Sequence, residues 1–338
     1  MIKSVLGPIS VENLGVTLPH EHIFIDMKHC VQKTGKEPPI FYEKISLENR
    51  GEVFTDPYAI LDNAALESDL CFERAVKEME YFKSYGGQTV VDCTLDEIGR
   101  DPIALKKLSE ITGINIILGC GHYYDRAHFP YVKNATADEL SREMITDLTV
   151  GIRDTGIRSG VIGEIGTSDV MTENEIKSLH AAGMASVATS RPIHVHTGLY
   201  SENGEKIIKI LTGEGVAPEK ICIDHVDVVL RKDYIKRLLA LGVYVEFDDF
   251  GKEFYVNKAS RFAYDLERIL LLSELIREGH GDRILITNDI CLKTMYRTYG
   301  GCGYAHVLRG VREMALENGI DESAYKTLTV NNPREFLK

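Results

Sequence analysis

From residue 89 onward the chain alternates between two patterns. Short apolar, β-branched runs occupy 89–94, 114–120, 160–165, 192–196, 220–224, 242–247 and 283–287, and an earlier one lies around 16–25. Between them lie stretches with helical spacing of apolar residues at 68–85, 137–153, 173–188, 203–213, 232–241, 260–278 and 304–318. Runs of this kind separated by amphipathic helices predict parallel strands joined by right-handed crossovers. Eight such units spread over about 250 residues or more is the count of a (β/α)8 TIM barrel. The rival is a doubly wound sheet, which usually has fewer strands and a glycine-rich phosphate loop; no G-x-G-x-x-G is present. The stretch from about 29 to 67 has weak periodicity and many polar residues. It reads as a loop insertion after the first strand, within one domain spanning 1–338.

Composition narrows the class. With 44% hydrophobic and 27% charged residues, the chain has the make-up of an ordinary globular protein. Its net charge of −12 argues against a nucleic-acid partner, which requires a basic face. The N-terminal segment lacks the apolar centre of a signal peptide, and the richest apolar run, 269–276, is broken by Ser273 and Glu274 and too short for a membrane span. Seven cysteines, an odd number without C-x-x-C spacing, suit reduced thiols and a cytoplasmic setting.

The chemistry lies at the ends of the apolar runs, where a barrel places its active site. The first run ends in His20-Glu21-His22. Residues two apart on a strand share a face, so His20 and His22 present two imidazoles together. Alone, such a pair says little. Glu164 sits inside the apolar run Val161–Gly166, where an uncompensated carboxylate is costly. The fifth run ends in His194-Val195-His196, the sixth in Asp224-His225 and the eighth in Thr287-Asn288-Asp289. Five of eight strand ends carrying metal-binding side chains predict a metal-dependent hydrolase. The remaining histidines, His29, His122, His128, His180, His280 and His306, read as hydrogen-bonded structural or surface residues.

These motifs carry a family resemblance: G-P-I-S…L-G-V-T-L-P-H-E-H near the start, V-I-G-E-I-G-T-S at 161–168, H-V-H-T-G at 194–198, G-V-A-P-E-K-I-C-I-D-H-V-D at 215–227, I-T-N-D at 286–289 and V-N-N-P-R-E-F-L at 330–337. Over nearly its full length the chain resembles the phosphotriesterase-like family of the amidohydrolase superfamily, which includes phosphotriesterase homology proteins and lactonases. The resemblance implies two divalent metal ions per chain, zinc or manganese. His20, His22 and Asp289 would hold the more buried ion, and His196 and His225 the more exposed one. Glu164 would bridge them, at a position where the family has either a carbamylated lysine or a glutamate. Asp289 would also act as catalytic proton acceptor. His194 is not a ligand in that pattern and stays open as a substrate or supporting group.

The implied reaction is opening of a lactone by a hydroxide bridging the two metals, and the family suggests a homodimer acting on a small molecule. Tyr123 and Tyr124, after the third strand, resemble residues of the lactonase branches. Asp248-Asp249-Phe250-Gly251-Lys252 departs from the Asp-Arg of acyl-homoserine lactonases. Phosphate sites in barrels often form after strands seven and eight. Lys252, Lys293, Arg297 and Tyr299 are therefore expected as contacts for a phosphorylated sugar lactone. The alternatives are a phosphotriesterase or other ester hydrolase, a one-metal deaminase, which Glu164 disfavours, and a non-catalytic sugar-binding barrel.

Overall fold

Eight parallel strands form the centre of the computed structural model, which describes residues 1–256 and 260–338. They are β1 (Val16–Glu21), β2 (Gly87–Asp92), β3 (Asn115–Leu118), β4 (Ile162–Gly166), β5 (Ile193–His196), β6 (Ile221–Ile223), β7 (Tyr244–Phe247) and β8 (Ile284–Ile286). Their residues are buried almost throughout, as expected of strands covered by helices on one side and packed on one another inside. Ladders join β1 to β2 to β3, and β4 through β8 in sequence order. Two backbone bonds close the seam between β3 and β4: Gly160 N donates to Leu118 O at 2.9 Å and Gly163 N to Cys120 O at 2.7 Å. The chain is a TIM barrel, and its closed ring excludes the doubly wound sheet.

The seam between β8 and β1 is made by side chains. Thr287 Oγ1 donates to the His20 carbonyl at 3.1 Å. The buried carboxylate of Glu21 gathers four donors from the start of the following loop. Its Oε1 accepts from Thr287 Oγ1 (2.6 Å), Asn288 N (2.9 Å) and Asn288 Nδ2 (3.0 Å), and its Oε2 from Ile290 N (2.8 Å). Strand alternation explains this: Glu21 faces the neighbouring strand's side because His20 and His22 face the centre.

Helices follow the strands with ordinary start signals. Helix α1 (Ser68–Ser84) precedes β2, α2 (Pro102–Thr112) starts at an Asp101 cap with proline in its first turn, and α3 (Ala137–Thr149) and α4 (Glu173–Thr189) begin with Thr-x-x-Glu capping boxes. Then come α5 (Gly204–Gly213), α6 (Lys232–Ala240), α7 (Asp265–Arg277) and α8 (Gly310–Glu317). The last begins six residues later than its periodicity predicts. Residues 304–309 are turns because Tyr304 is drawn inward, its hydroxyl donating to the His22 carbonyl at 2.7 Å.

The 29–67 stretch forms the short helical turns Pro39–Tyr42, Arg50–Val53 and Leu61–Ala64, and its end pairs as Ala65–Leu66 with Ile25–Asp26. It caps the mouth of the barrel at the C-terminal ends of the strands. At the opposite end Phe336 packs edge-on against His194 (centroids 4.9 Å apart) and against Tyr244 (5.1 Å). Among the described residues no helix is long and apolar enough to cross a membrane, and all seven cysteines are free thiols.

Candidate metal centre and active site

The strand ends bring His20, His22, Glu164, His196, His225 and Asp289 together at the mouth. Glu164 lies at the middle of the group. Its Oε1 is 3.1 Å from His22 Nε2, while its Oε2 is 3.5 Å from His20 Nε2, 3.1 Å from His196 Nδ1 and 3.5 Å from His225 Nε2. Asp289 Oδ1 closes one side, 3.2 Å from His22 Nε2 and 3.9 Å from His20 Nε2. His196 Nδ1 and His225 Nε2 approach to 2.8 Å on the other.

Three of the four rings are aimed by what holds their far side. His20 Nδ1 is bonded to Glu246 Oε2 (3.0 Å), His22 Nδ1 to Thr94 Oγ1 (3.0 Å) and His225 Nδ1 to Asp248 Oδ1 (3.0 Å). Such outer partners fix the tautomer and leave Nε2 free for the centre. The backbone contributes as well. His225 (φ 61°) and Asp289 (φ 45°) both adopt the left-handed conformation, which costs a non-glycine residue about 1–3 kcal/mol and is concentrated at functional sites.

This donor set fits divalent cations. A tetrahedral ion with bonds of about 2.1 Å separates its ligands by about 3.4 Å, close to the spacings around Glu164. His20 Nε2 and Asp289 Oδ1 are buried with no hydrogen-bond partner, which is expensive unless a cation takes them. Two clusters, His20–His22–Glu164 and Glu164–His196–His225, share the glutamate. The electrostatics agree, because the carboxylates demand positive charge. Burial opposes protonation of His22, yet Asp289 and Glu164 outweigh it and lift its pKa to about 9. Burial would raise Glu164, but His20 and His196 hold it well below the usual carboxylate range.

Beneath the centre lies a layer of buried polar groups. His194 points down into it, 3.3 Å from Asp224 Oδ1 and 3.5 Å from Glu246 Oε2. Glu246, Thr94, Asp248 and Glu21 are supporting residues that motif reading passed over. Glu246 had a signal: it is an acid inside an apolar run, the same feature that singled out Glu164.

Of the expected substrate contacts, Tyr123 and Tyr124 line a 610 Å³ cavity over the centre, and Tyr123 Oη lies 3.3 Å from His196 Nδ1. Lys252 lines a smaller inner cavity of 90 Å³, but its ammonium is engaged by Asp289 and, at 2.8 Å, by Asp249 Oδ1. The other three are not lining residues of either cavity. Lys293 pairs with Asp62 at 2.8 Å under the 29–67 cap. The Arg297 guanidinium lies 3.2 Å from the Tyr81 ring centroid, with its backbone N on Glu78 Oε1, and Tyr299 packs under Arg74. The loop after β8 docks on α1, which carries Arg74, Glu78 and Tyr81, and this turns these side chains away from the mouth. In their place the outer cavity offers Lys36, Arg126 and Tyr58, with Leu199, Phe254 and Phe262 walling the inner one.

Four similarities to known families and proteins bear on this site. A model of the Phosphotriesterase family matches residues 1–337. A "Phosphotriesterase-related protein" of Nematostella vectensis is 36% identical over 344 residues, covering 100% of this chain and 98% of the relative. An "N-acetyltaurine hydrolase" of Xenopus tropicalis is 34% identical over 346 residues, covering 99% and 97%. Among solved structures, a resiniferatoxin-binding protein from Rhodobacter sphaeroides superposes with a TM-score of 0.96 at 31% identity, covering 100% of this chain and 94% of that one.

Proposed function

The chain belongs to the phosphotriesterase family of metal-dependent hydrolases, and we propose that it cleaves a small carboxylic amide, an N-acylated amino-sulfonate of the N-acetyltaurine kind. The observation that carries this reading is the convergence of four histidines on the two oxygens of Glu164, with the unpartnered Oδ1 of Asp289 beside them. His20, His22 and Asp289 would hold one divalent cation, His196 and His225 a second, and Glu164 both, with zinc or manganese as the metal. Bound there, such ions polarise a carbonyl and supply hydroxide at neutral pH.

The chain's own residues do the rest. The Asp289 carboxylate faces the histidines and accepts the proton of the attacking water, then returns it to the leaving nitrogen. Burial would raise the Asp289 pKa, but Lys252 and His22 hold it far down, so Asp289 is a carboxylate when water arrives. Lys252 also fixes the plane of that carboxylate through its second partner, Asp249. Tyr123, beside His196, is placed to donate a hydrogen bond to the carbonyl oxygen as negative charge develops there. The 90 Å³ inner cavity suits an acetyl-sized group, and Lys36 and Arg126 in the outer cavity suit an anionic tail.

A sugar lactone is the second reading, since ring opening uses the same groups and Tyr123 serves a lactone carbonyl equally. The phosphorylated version loses support, because Lys293 and Arg297 point elsewhere and Lys252 is paired within the site. Metal-reconstituted protein incubated with N-acetyltaurine and a lactone panel, followed by proton NMR, tests the choice. Release of acetate and taurine is expected. Lactone opening with no amide cleavage would overturn the amide reading in favour of the second.

A further inference from the structure

Between helix α3 and the loops after β2 and β3 lies a cavity of 10 Å³, about the room that one water or one ion needs. It shares no residue with the metal centre. His122, only 2% exposed, is one of its lining residues. Its Nδ1 donates to Glu97 Oε1 at 2.7 Å, and its Nε2, buried without a hydrogen-bond partner, faces Glu143 Oε2 across 3.9 Å. With the proton held on Nδ1 by Glu97, Nε2 presents a lone pair to a carboxylate, acceptor against acceptor. Protonating Nε2 as well does not help, because 3.9 Å is too long for a hydrogen bond. Such a pair is costly unless something positive stands between its members.

The neighbours hold this arrangement in place and add charge to it. Tyr131 Oη donates to Glu143 Oε1 at 2.8 Å, which leaves Oε2 turned to His122. Asp147 lies four residues beyond Glu143 on α3, so both carboxylates stand on one face of the helix and line the cavity. Arg100 bonds Asp96 Oδ1 and Asp147 Oδ2, each at 2.8 Å, and Arg153 bonds Asp96 Oδ1 at 2.7 Å. Four carboxylates, Asp96, Glu97, Glu143 and Asp147, are thus met by two guanidiniums, and two negative charges remain beside a neutral imidazole. A water donating to both His122 and Glu143 would fill the space and leave that charge where it is. A dication fills the space and cancels it.

We propose that His122 Nε2 and Glu143 Oε2 hold an exchangeable divalent transition-metal ion, at a site separate from the centre at the strand ends. Bonds of about 2.1 Å on either side reach across as much as about 4.2 Å, so one ion joins the two atoms. Glu97, behind the ring, is the outer carboxylate that metal-bound histidines ordinarily carry, in the relation that Glu246 has to His20 and Asp248 to His225. An imidazole beside carboxylates selects zinc, cobalt or manganese over calcium, which takes oxygen ligands alone. The Glu143 side chain is 46% exposed, so the ion enters from solvent and leaves readily, unlike one in the buried centre.

Zinc alone is the probe. Metal-loaded protein is dialysed to equilibrium against micromolar free zinc, and its metal content is measured by mass spectrometry before and after desalting. One additional ion per chain is expected at equilibrium and lost on desalting. It should be absent in His122→Phe and in Glu143→Gln, with the content after desalting unchanged. The glutamine variant keeps the Tyr131 bond at a half-exposed position, so it tests the site even where the buried phenylalanine variant fails to fold. Glu97→Gln should weaken binding of the additional ion about 10- to 100-fold. Anomalous diffraction at the zinc edge should place that ion between His122 and Glu143. No additional ion in the parent, or one undiminished in Glu143→Gln, would overturn the site. Electron density there without anomalous signal would give the place to a water and overturn it equally, and displacement of the ion by calcium would overturn the transition-metal assignment.

Discussion

Replacing Glu21 tests whether the barrel and the metal centre share one fastening. Glu21 is fully buried and takes four hydrogen bonds from the Thr287–Ile290 segment, two of them from backbone N–H groups. In Glu21→Gln the volume is kept and the amide oxygen can serve Thr287 and Asn288. The new NH2 group then faces Ile290 N–H, donor against donor. An unsatisfied buried donor costs about 1–3 kcal/mol, and the charge-assisted bonds to the carboxylate are also weakened, so the expected loss is about 2–4 kcal/mol. Glu21→Ala leaves the Asn288 and Ile290 amides both without a partner and opens a cavity, for about 4–6 kcal/mol. Against a total stability of about 5–15 kcal/mol, the alanine variant should be barely folded. Equilibrium urea unfolding followed by far-UV circular dichroism gives the stability change, and mass spectrometric metal analysis gives the second readout. Because Glu21 lies between His20 and His22 and its partners flank Asp289, the glutamine variant should also bind metal more weakly. A Gln variant within about 0.5 kcal/mol of the parent with full metal content would refute the reasoning.

Other outcomes follow from the same geometry. Glu164→Ala removes the only side chain within reach of all four histidines among the described residues, and metal retained after zinc reconstitution should fall below about one ion per chain. Asp289→Asn should lower kcat about 100- to 10,000-fold, with a smaller change in KM. Tyr123→Phe should lower kcat/KM about 10- to 100-fold with metal content unchanged; loss of metal instead would assign Tyr123 to holding His196. His306 has a folded pKa of about 9 against 6.5 unfolded, so its pairing with Asp265 contributes fully below pH 6.5 and is lost as pH rises through about 9. Unfolding measured across that window should show a falling stability that His306→Asn flattens.

Much of this was legible in the residue pattern because barrels are repetitive. Each apolar run in 89–287 coincides with a strand to within a few residues, and period-2 alternation put His20 and His22 on one face without knowledge of the fold. Their meeting with Glu164, His196, His225 and Asp289 follows from closing the ring. Long loops resist such reading. Lys293, Arg297 and Tyr299 lie in a segment whose course is set by Asp62 of the cap and by Arg74, Glu78 and Tyr81 of α1, more than 200 residues earlier. The supporting carboxylates were hidden for another reason. Glu246 and Glu21 make sense only once the neighbouring strand is known, since their partners are His20 from β1 and the Thr287–Ile290 segment after β8.

The fastening between β8 and β1 also sets an order of events during synthesis. His20 and His22 leave the ribosome early, while Asp289 and the donors that grip Glu21 emerge some 270 residues later. Until then the first strand has one neighbour, and its two histidines face an unfinished ring. A nascent chain shorter than this holds at most the His20–His22–Glu164 and Glu164–His196–His225 groups without their closing carboxylate. The full set of candidate ligands is therefore complete only after translation has passed Asp289, and prematurely terminated chains should emerge without it.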